Sequence, residues 1–229
     1  MSKIIHQMWL QGKDCCPTRY LSSVKKWIDI NPTYQHIFWD EKKISKFLKD
    51  HFPEYKNQWL NLNKPIKKCD AARYFILYHF GGVYADLDTT PYQSIDKLIE
   101  NLNLQEYEII LSKESNDPLS WKSSVSEELV RSRDLDFVLA NAILISKTGS
   151  QFWLDFVEKA FQRKDEMVLE SFSTWHLTRF YKDSMNKANI CILNPKYLLN
   201  TRYKDENTYV THRYDALWFD YSLEKPWEV

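Results

Sequence analysis

Glycine and cysteine are both scarce in this sequence, with four of each among 229 residues. The cysteines match neither a zinc-binding spacing nor a CxxC redox motif, so we expect reduced thiols. They are Cys15, Cys16, Cys69 and Cys191. No apolar run follows Met1, and none approaches the roughly 20 residues that span a bilayer. We therefore expect neither a secretory signal nor a membrane span.

Net charge is also lacking, because 31 basic side chains balance 31 acidic ones. Such a chain has no long-range field that attracts nucleic acid or an anionic membrane, so recognition must come from a local site. Hydrophobic residues make up 44% and aromatic residues 15% of the chain, which excludes a disordered protein. With no linker, repeat or low-complexity tract, residues 1–229 are predicted to form a single domain.

Short apolar segments alternate with amphipathic helical patterns along the chain. This alternation predicts an α/β layered fold with a mainly parallel central sheet. In such sheets a ligand lies beyond the carboxyl ends of the strands. Strands are predicted at 3–9, 34–40, 83–88, 107–111, 142–146 and 190–193, and helices at 17–30, 41–52, 55–80, 150–163 and 170–185.

Two of the four glycines stand side by side in "YHFGGVYADLDTTP", residues 78–91. Gly81 and Gly82 are predicted to end a helix, and the strand after them ends in Asp86 and Asp88. Alternate strand residues point to the same side, so both carboxylates would meet at a strand end. Their repulsion would be relieved by a divalent cation such as Mg²⁺ or Mn²⁺, which also bridges phosphate oxygens. The alternative is a pair of surface aspartates that cap a turn.

A second Asp-x-Asp, at residues 134–136, shows that this pattern alone is not specific for a functional site. It follows the charged stretch "RSRDLDF" and no strand precedes it. We therefore interpret Asp134 and Asp136 as members of a solvated turn.

Asp70 and Arg73 lie on the predicted helix that ends at the glycine pair, and they share a helix face. A surface ion pair would contribute under about 1 kcal/mol. The neighbouring residues on that helix, including Tyr74, are apolar, which favours a half-buried pair. Such a pair would be able to hold sugar hydroxyls.

Three segments together resemble a known family. They are "KIIHQMW", "NPTYQHIFWD" and "KKCDAARYFILYHFGGVYADLD", and "NAILISK" continues the likeness. This combination resembles the DXD-motif glycosyltransferases of family 32, which include the yeast-type Golgi mannosyltransferases and capsular polysaccharide enzymes. It is more distantly similar to the glucosylating bacterial toxins. The resemblance implies a GT-A fold, a nucleotide-sugar donor and Mn²⁺ (or Mg²⁺).

The resemblance also implies roles for individual residues. Asp88 would bind the metal, Asp86 would meet the ribose and the sugar, and Asp70 and Arg73 would contact the donor sugar. Further nucleotide or sugar contacts are expected from residues that fit family positions: Trp9, His6, Tyr74 and Asn141. Core positions are the alternative for Trp9 and His6.

The tail "HRYDALW" resembles the end of the family's pattern, except that Leu217 stands where the family usually has a small residue. His212 would complete the metal shell or touch the diphosphate, and Trp218 would lie over the nucleotide. Arg213 would assist through its charge.

The expected activity is metal-dependent transfer of a sugar from a UDP- or GDP-sugar to a glycan or glycolipid hydroxyl, with retention. An inverting enzyme would need a separate base, for which Glu127, Glu128, Asp134 and Asp136 are candidates. A metal-dependent phosphohydrolase and a non-catalytic sugar-nucleotide-binding module are the alternatives.

Composition and the missing anchor suggest a bacterial or large-virus enzyme, so the expected location is the bacterial cytoplasm or the cytosol of a virus-infected host.

Overall fold

The computed structural model of the protein describes residues 1–114, 135–185, 187–199, 205–215, 219–220 and 225–226. The strands are β1 (Ile4–Met8), β2 (Gln35–Trp39), β3 (Gly82–Ala85), β4 (Thr89–Pro91), β5 (Ile109–Ser112), β6 (Ile143–Ser146), β7 (Ile190–Leu193), β8 (Val210–His212), β9 (Phe219–Asp220) and β10 (Lys225–Pro226). The α-helices are α1 (Thr18–Ile30), α2 (Glu41–His51), α3 (Pro53–Leu60), α4 (Pro65–Phe80), α5 (Ile95–Asn101), α6 (Gln151–Gln162), α7 (Val168–Ser171), α8 (Thr174–Asp183) and α9 (Pro195–Leu198). Short 3-10 turns cover Lys13–Cys15 and Lys187–Asn189.

The central sheet has six strands in the order β2-β1-β3-β6-β5-β7. Strand β6 is antiparallel to both of its neighbours, whereas the β1–β2, β1–β3 and β5–β7 pairs are parallel. The predicted α/β fold with a mainly parallel sheet is therefore confirmed.

Hydrophobic residues cover both faces of this sheet. On β3 the side chains alternate: Tyr84 joins the cluster packed with α4 and α6, while Val83 and Ala85 join the cluster on the opposite face. Helix α4 lies largely in the interior, because nine of its 16 residues are buried. The result is a sheet between two helical layers, as a strand buried on both faces requires.

Strands β4 and β8 form a separate antiparallel ribbon, in which Thr89 lies opposite His212. No strand was predicted for Thr89–Pro91, so this ribbon was missed by the sequence analysis. Pro91 is tolerated because it is the last residue of a strand that pairs on one side only.

The helix predicted over 170–185 is interrupted between α7 and α8. Ser173 has an extended backbone there. Its hydroxyl accepts a hydrogen bond from Asn141 at 3.2 Å, which fixes the segment against the loop before β6.

The glycine pair allows two close backbone contacts at the end of α4. Gly81 has φ +63° and Gly82 has φ +85°, a region that L side chains rarely adopt. A Cβ on Gly82 would lie 2.4 Å from the carbonyl oxygen of Ile4, and one on Gly81 would lie 2.6 Å from the nitrogen of Thr148. The side-by-side glycines thus let β3 enter the sheet directly after the helix.

We expect Gly82→Ala to lower the free energy of unfolding by more than about 3 kcal/mol, because strain and a backbone clash add. Gly12→Ala is the matched control. Gly12 has φ +92° and ψ 163°, a region that almost only glycine adopts, but a Cβ added there would meet no atom within 4 Å, so only the strain remains, about 1–3 kcal/mol. Urea unfolding of both variants checks this; equal losses would contradict the role assigned to the Ile4 contact.

Candidate functional site

The two aspartates of the first Asp-x-Asp lie in a tight turn, not in a strand. Strand β3 ends at Ala85, and the carbonyl of Asp86 accepts a bond from the N–H of Thr89 at 3.2 Å. Leu87 points inward and is 7% exposed. The predicted strand through Asp88 is therefore wrong, but the turn still brings both carboxylates to one side at the carboxyl end of β3.

The β4–β8 ribbon brings His212 to this turn. Its Nε2 lies 3.1 Å from the Asp88 Oδ2. One ligand atom from each of Asp86, Asp88 and His212 lies within 4.8 Å of the others. Two carboxylates and an imidazole are suitable ligands for Mn²⁺ or Mg²⁺. Of the two ions, Mn²⁺ binds the imidazole more readily. The donor set thus fits the predicted metal.

The charges of this group favour an ionised Asp88. Burial raises the pKa of Asp88, but hydrogen bonds from His212 and from the N–H of Asp215 outweigh burial and hold that pKa below its usual range. Burial lowers the pKa of His212, but Asp88 outweighs this effect and raises it. Burial raises the pKa of Asp86, an effect that Arg73 opposes. An ionised Asp88 is the form that binds a cation.

A second polar cluster lies beside the turn, on helix α4. Arg73 Nη2 lies 2.7 Å from Asp70 Oδ1 and 3.5 Å from Asp86 Oδ1. Its Nη1 donates to the carbonyl of Asn141 at 2.5 Å, and its guanidinium lies 4.5 Å from the ring centroid of Tyr84. Arg73 therefore links the helix, the Asp86 turn and the loop before β6.

Asp70 is the most deeply buried acid of this cluster, at 2% exposure. Burial raises its pKa to about 7, although Arg73 opposes that shift. Its Oδ1 also accepts from Asn141 Nδ2 at 3.2 Å. Its Oδ2 is buried and has no hydrogen-bond partner among the described residues. Such an orphaned acceptor is what a ligand hydroxyl would satisfy.

Trp9 follows β1 and packs beside the turn, in a cluster that contains Tyr20 and Leu87. Its ring centroid lies 5.7 Å from that of Tyr20. Its Nε1 is buried with no hydrogen-bond partner in the described part of the chain. Trp9 is partly exposed, and its position near Leu87 is compatible with the predicted nucleobase contact.

Two of the predicted contact residues face the core instead. His6 is fully buried; its Nε2 donates to the carbonyl of Gly81 at 3.0 Å, and its Nδ1 accepts from Trp39 at 3.2 Å. Tyr74 is also fully buried, stacks on Trp153 and donates to the carbonyl of Phe172 at 2.8 Å. These contacts match the structural alternative for His6, and they give no support to nucleotide binding by either residue.

The burial of His6 predicts that the free energy of unfolding decreases in acid. Burial lowers its pKa from 6.5 to about 4. Between these values the unfolded chain binds a proton that the native protein does not, so the free energy of unfolding falls as the pH drops. The loss reaches about 3 kcal/mol. Urea unfolding at about pH 7, 5.5 and 4.5, with NMR titration of the His6 ring, checks this; protonation of the native ring at about pH 6.5 would contradict it.

Several predicted residues lie outside the described residues: Trp218 and the candidate bases Glu127, Glu128 and Asp134. The remaining candidate base, Asp136, is on the surface. Its side chain is 71% exposed and lies 3.0 Å from the Nζ of Lys182. For Asp136, the solvated position agrees with the sequence-based interpretation.

Glu114 is a site residue that no sequence pattern indicated. It follows the carboxyl end of β5 and interacts electrostatically with His212, Asp86 and Asp88. Burial raises its pKa to about 6. Its place three residues after the predicted strand at 107–111 was the available signal, but a single polar residue there resembles any loop residue.

Residues 17–109 match the family described as the glycosyltransferase sugar-binding region containing a DXD motif. Curated relatives include mannosyl phosphorylinositol ceramide synthase SUR1 of Saccharomyces cerevisiae, 36% identical over 42% of this chain and 25% of its own length. Inositol phosphoceramide mannosyltransferase 3 of Schizosaccharomyces pombe is 33% identical over 42% of this chain and 27% of its own length. The chain thus matches about a quarter of the length of these relatives.

The expected cytoplasmic location is wrong. The matched relatives fall in the group of yeast-type Golgi mannosyltransferases, which are not cytosolic. The expectation rested on composition and on a membrane anchor that the sequence lacks, and the lack of an anchor carries no information when a chain matches only about a quarter of its relatives' length. Among the described residues, no helix is both long and apolar enough to cross a membrane.

The solved PaToxG glycosyltransferase aligns with 81% of this chain and 70% of its own, with a TM-score of 0.56 and 14% identity. This likeness shows a shared fold and confirms the predicted GT-A type of architecture. The matched region contains Asp70, Arg73, Asp86 and Asp88, and the structure brings these four side chains together. Residues 17–109, which hold these four side chains, are thus similar to the glycosyltransferase sugar-binding region that contains a DXD motif.

Proposed function

We propose that the protein transfers a sugar from a nucleoside diphosphate sugar to a hydroxyl of a glycan or glycolipid, with residues 1–229 acting as one GT-A domain. This proposal rests on one observation: Asp86, Asp88 and His212 lie close together beside the buried Asp70–Arg73 pair. A site for a hard cation thus lies next to a buried oxygen that can accept a hydrogen bond from a hydroxyl. A phosphorylated sugar needs both, the cation for its phosphates and the acceptor for its hydroxyls.

Asp88 and His212 would hold Mn²⁺ (or Mg²⁺), with Asp86 beside them. When bound, the metal neutralises the charge that develops on the leaving diphosphate. Trp9 would stack against the nucleobase, and Trp218 and Arg213 would act from the tail, as the family resemblance implies.

The sugar would lie over the Asp70–Arg73 pair. Asp70 Oδ2 would accept a bond from a sugar hydroxyl, because that oxygen has no partner among the described residues. Asn141 and Arg73 hold the other Asp70 oxygen, so the acceptor is already oriented. Such fixed hydrogen bonds select one hydroxyl configuration over another.

Mannose is the sugar we propose, because the relatives' names specify mannosyl transfer. GDP-mannose is accordingly the first donor, and an inositol phosphoceramide is the first acceptor. We also propose retention of the anomeric configuration, as the family resemblance implies. NMR assignment of the product anomer tests this part alone.

Donor hydrolysis with Mn²⁺ and no acceptor tests the proposal. The panel comprises GDP-mannose, GDP-fucose, UDP-glucose, UDP-galactose and UDP-N-acetylglucosamine. Turnover of one donor that releases free sugar and nucleoside diphosphate supports a glycosyltransferase. Release of nucleoside monophosphate and sugar 1-phosphate would favour the phosphohydrolase alternative. Mn²⁺-dependent nucleotide binding without transfer, even with acceptor, would favour the binding module.

A further inference from the structure

Tyr20, on helix α1, contacts both sides of the candidate site, although no prediction included it. Its side chain is 2% exposed. Its ring packs against Trp9, at a centroid distance of 5.7 Å. Its hydroxyl donates to Asp215 Oδ2 at 2.9 Å and accepts from Arg19 at 3.0 Å. A buried tyrosine therefore joins the proposed nucleobase side to the segment after β8.

Asp215 extends this contact to Asp88. Its backbone N–H donates to Asp88 Oδ2 at 3.0 Å. The backbone N–H of Arg213 donates to the Asp88 carbonyl at 3.0 Å, and its guanidinium lies 3.2 Å from Asp215 Oδ2. Whatever fixes the side chain of Asp215 therefore also fixes the N–H that orients the carboxylate of Asp88.

We propose that Tyr20 is a positioning residue for the metal ligand Asp88 and acts through Asp215. This rests on the proposed function, which assigns Asp88 to the metal. Hydrogen-bond partners behind metal ligands typically change metal affinity by about ten- to a hundredfold. Because Arg213 still holds Asp215 when the hydroxyl is lost, we expect a smaller change, roughly three- to tenfold.

The chain offers a matched control for the loss of one tyrosine hydroxyl. Tyr34 donates to Asp96 Oδ1 at 2.8 Å, so this pair has the same chemistry as Tyr20 and Asp215. Asp96 also pairs with Lys3, the residue before β1. The Tyr34 pair thus lies at the amino edge of the parallel strands, whereas Asp86 and Asp88 follow the carboxyl end of β3.

The experiment compares Tyr20→Phe, Tyr34→Phe, Asp215→Ala and Asp215→Asn. Mn²⁺ affinity is measured by calorimetry in the presence of UDP or GDP, and thermal unfolding is measured without metal. Tyr20→Phe should raise the Mn²⁺ Kd roughly three- to tenfold, and Asp215→Ala, which also loses the Arg213 contact, should raise it about ten- to a hundredfold. Asp215→Asn keeps an acceptor oxygen and should retain most of the affinity. The double variant Tyr20→Phe/Asp215→Ala should bind about as well as Asp215→Ala alone, because Asp215→Ala has already removed the Tyr20 contact.

Wild-type Mn²⁺ affinity in Tyr20→Phe would overturn the positioning role, as would equal weakening in Tyr34→Phe. Fully additive losses in the double variant would also overturn it, because Tyr20 would then act by another route. If the unsubstituted protein bound no Mn²⁺ with either nucleotide, the proposed function itself would fail, and the positioning role with it.

Discussion

The substitution Asp88→Asn is expected to reduce sugar transfer by at least about a hundredfold. Asp88 Oδ2 accepts from both His212 and the N–H of Asp215, and the carboxylate is held ionised. An amide retains the shape and one acceptor oxygen but loses the charge that binds a cation. Turnover of the active donor, measured across a Mn²⁺ titration, tests this prediction.

The second Asp-x-Asp supplies the control for that substitution. Asp136→Asn makes the same chemical change at a side chain that is 71% exposed and pairs with Lys182 on the surface. We expect turnover within about twofold of the unsubstituted protein, since exposed pairs contribute little. Equal losses at both positions would show that the loss does not come from the site. Unchanged turnover in Asp88→Asn would remove Asp88 from the mechanism.

The substitution Arg73→Met is expected to lower the free energy of unfolding by about 3–5 kcal/mol. The Arg73 side chain is 3% exposed and lies within 3.5 Å of carboxylate oxygens on Asp70 and Asp86. Its loss leaves the buried Asp70 carboxyl without its cation, so that group must stay charged in the interior or take up a proton, and removing one partner of a buried pair in this way is costly. Urea unfolding without metal measures the change.

A double variant separates the ion pair from the packing of Arg73. Asp70→Asn/Arg73→Met replaces the carboxyl that has lost its partner with a neutral amide and should recover part of the lost stability. A loss under about 1 kcal/mol for Arg73→Met alone would mean that the guanidinium contributes as little as a surface charge. Sugar transfer should be absent in both variants, because each loses contacts assigned to the donor sugar.

Local spacing was enough to predict the Asp70–Arg73 pair. Residues three apart on a helix share a face, and the apolar neighbours indicated burial. Tyr74 shows the limit of the same pattern, because one further residue turns a side chain by about 100° around the helix. That rotation directs Tyr74 toward Trp153 in the core.

The meeting of Asp86 and Asp88 was predicted for an incorrect reason. A strand and a tight turn can both bring residues i and i+2 to the same side, so the spacing does not distinguish them. The hydrogen bond from the Thr89 N–H to the Asp86 carbonyl and the inward Leu87 identify the turn. The β4–β8 pairing that follows it depends on contacts more than 100 positions apart in the sequence.

Residues positioned by long-range contacts escaped sequence reasoning unless a family pattern indicated them. His212 was predicted by resemblance alone, since it pairs with a strand 123 positions earlier. Tyr20, Glu114 and Ser173 had no such pattern. Each joins the site through a partner from another part of the chain: Asp215, His212 and Asn141, respectively.

Anomalous scattering from crystals grown with Mn²⁺ and GDP or UDP tests the central claim most directly. We expect one manganese peak at the turn after β3, within coordination distance of the Asp88 carboxylate and His212, with diphosphate oxygens beside it. The same crystals of Asp88→Asn should lack that peak. A manganese peak elsewhere, or nucleotide bound without metal at these side chains, would contradict the account.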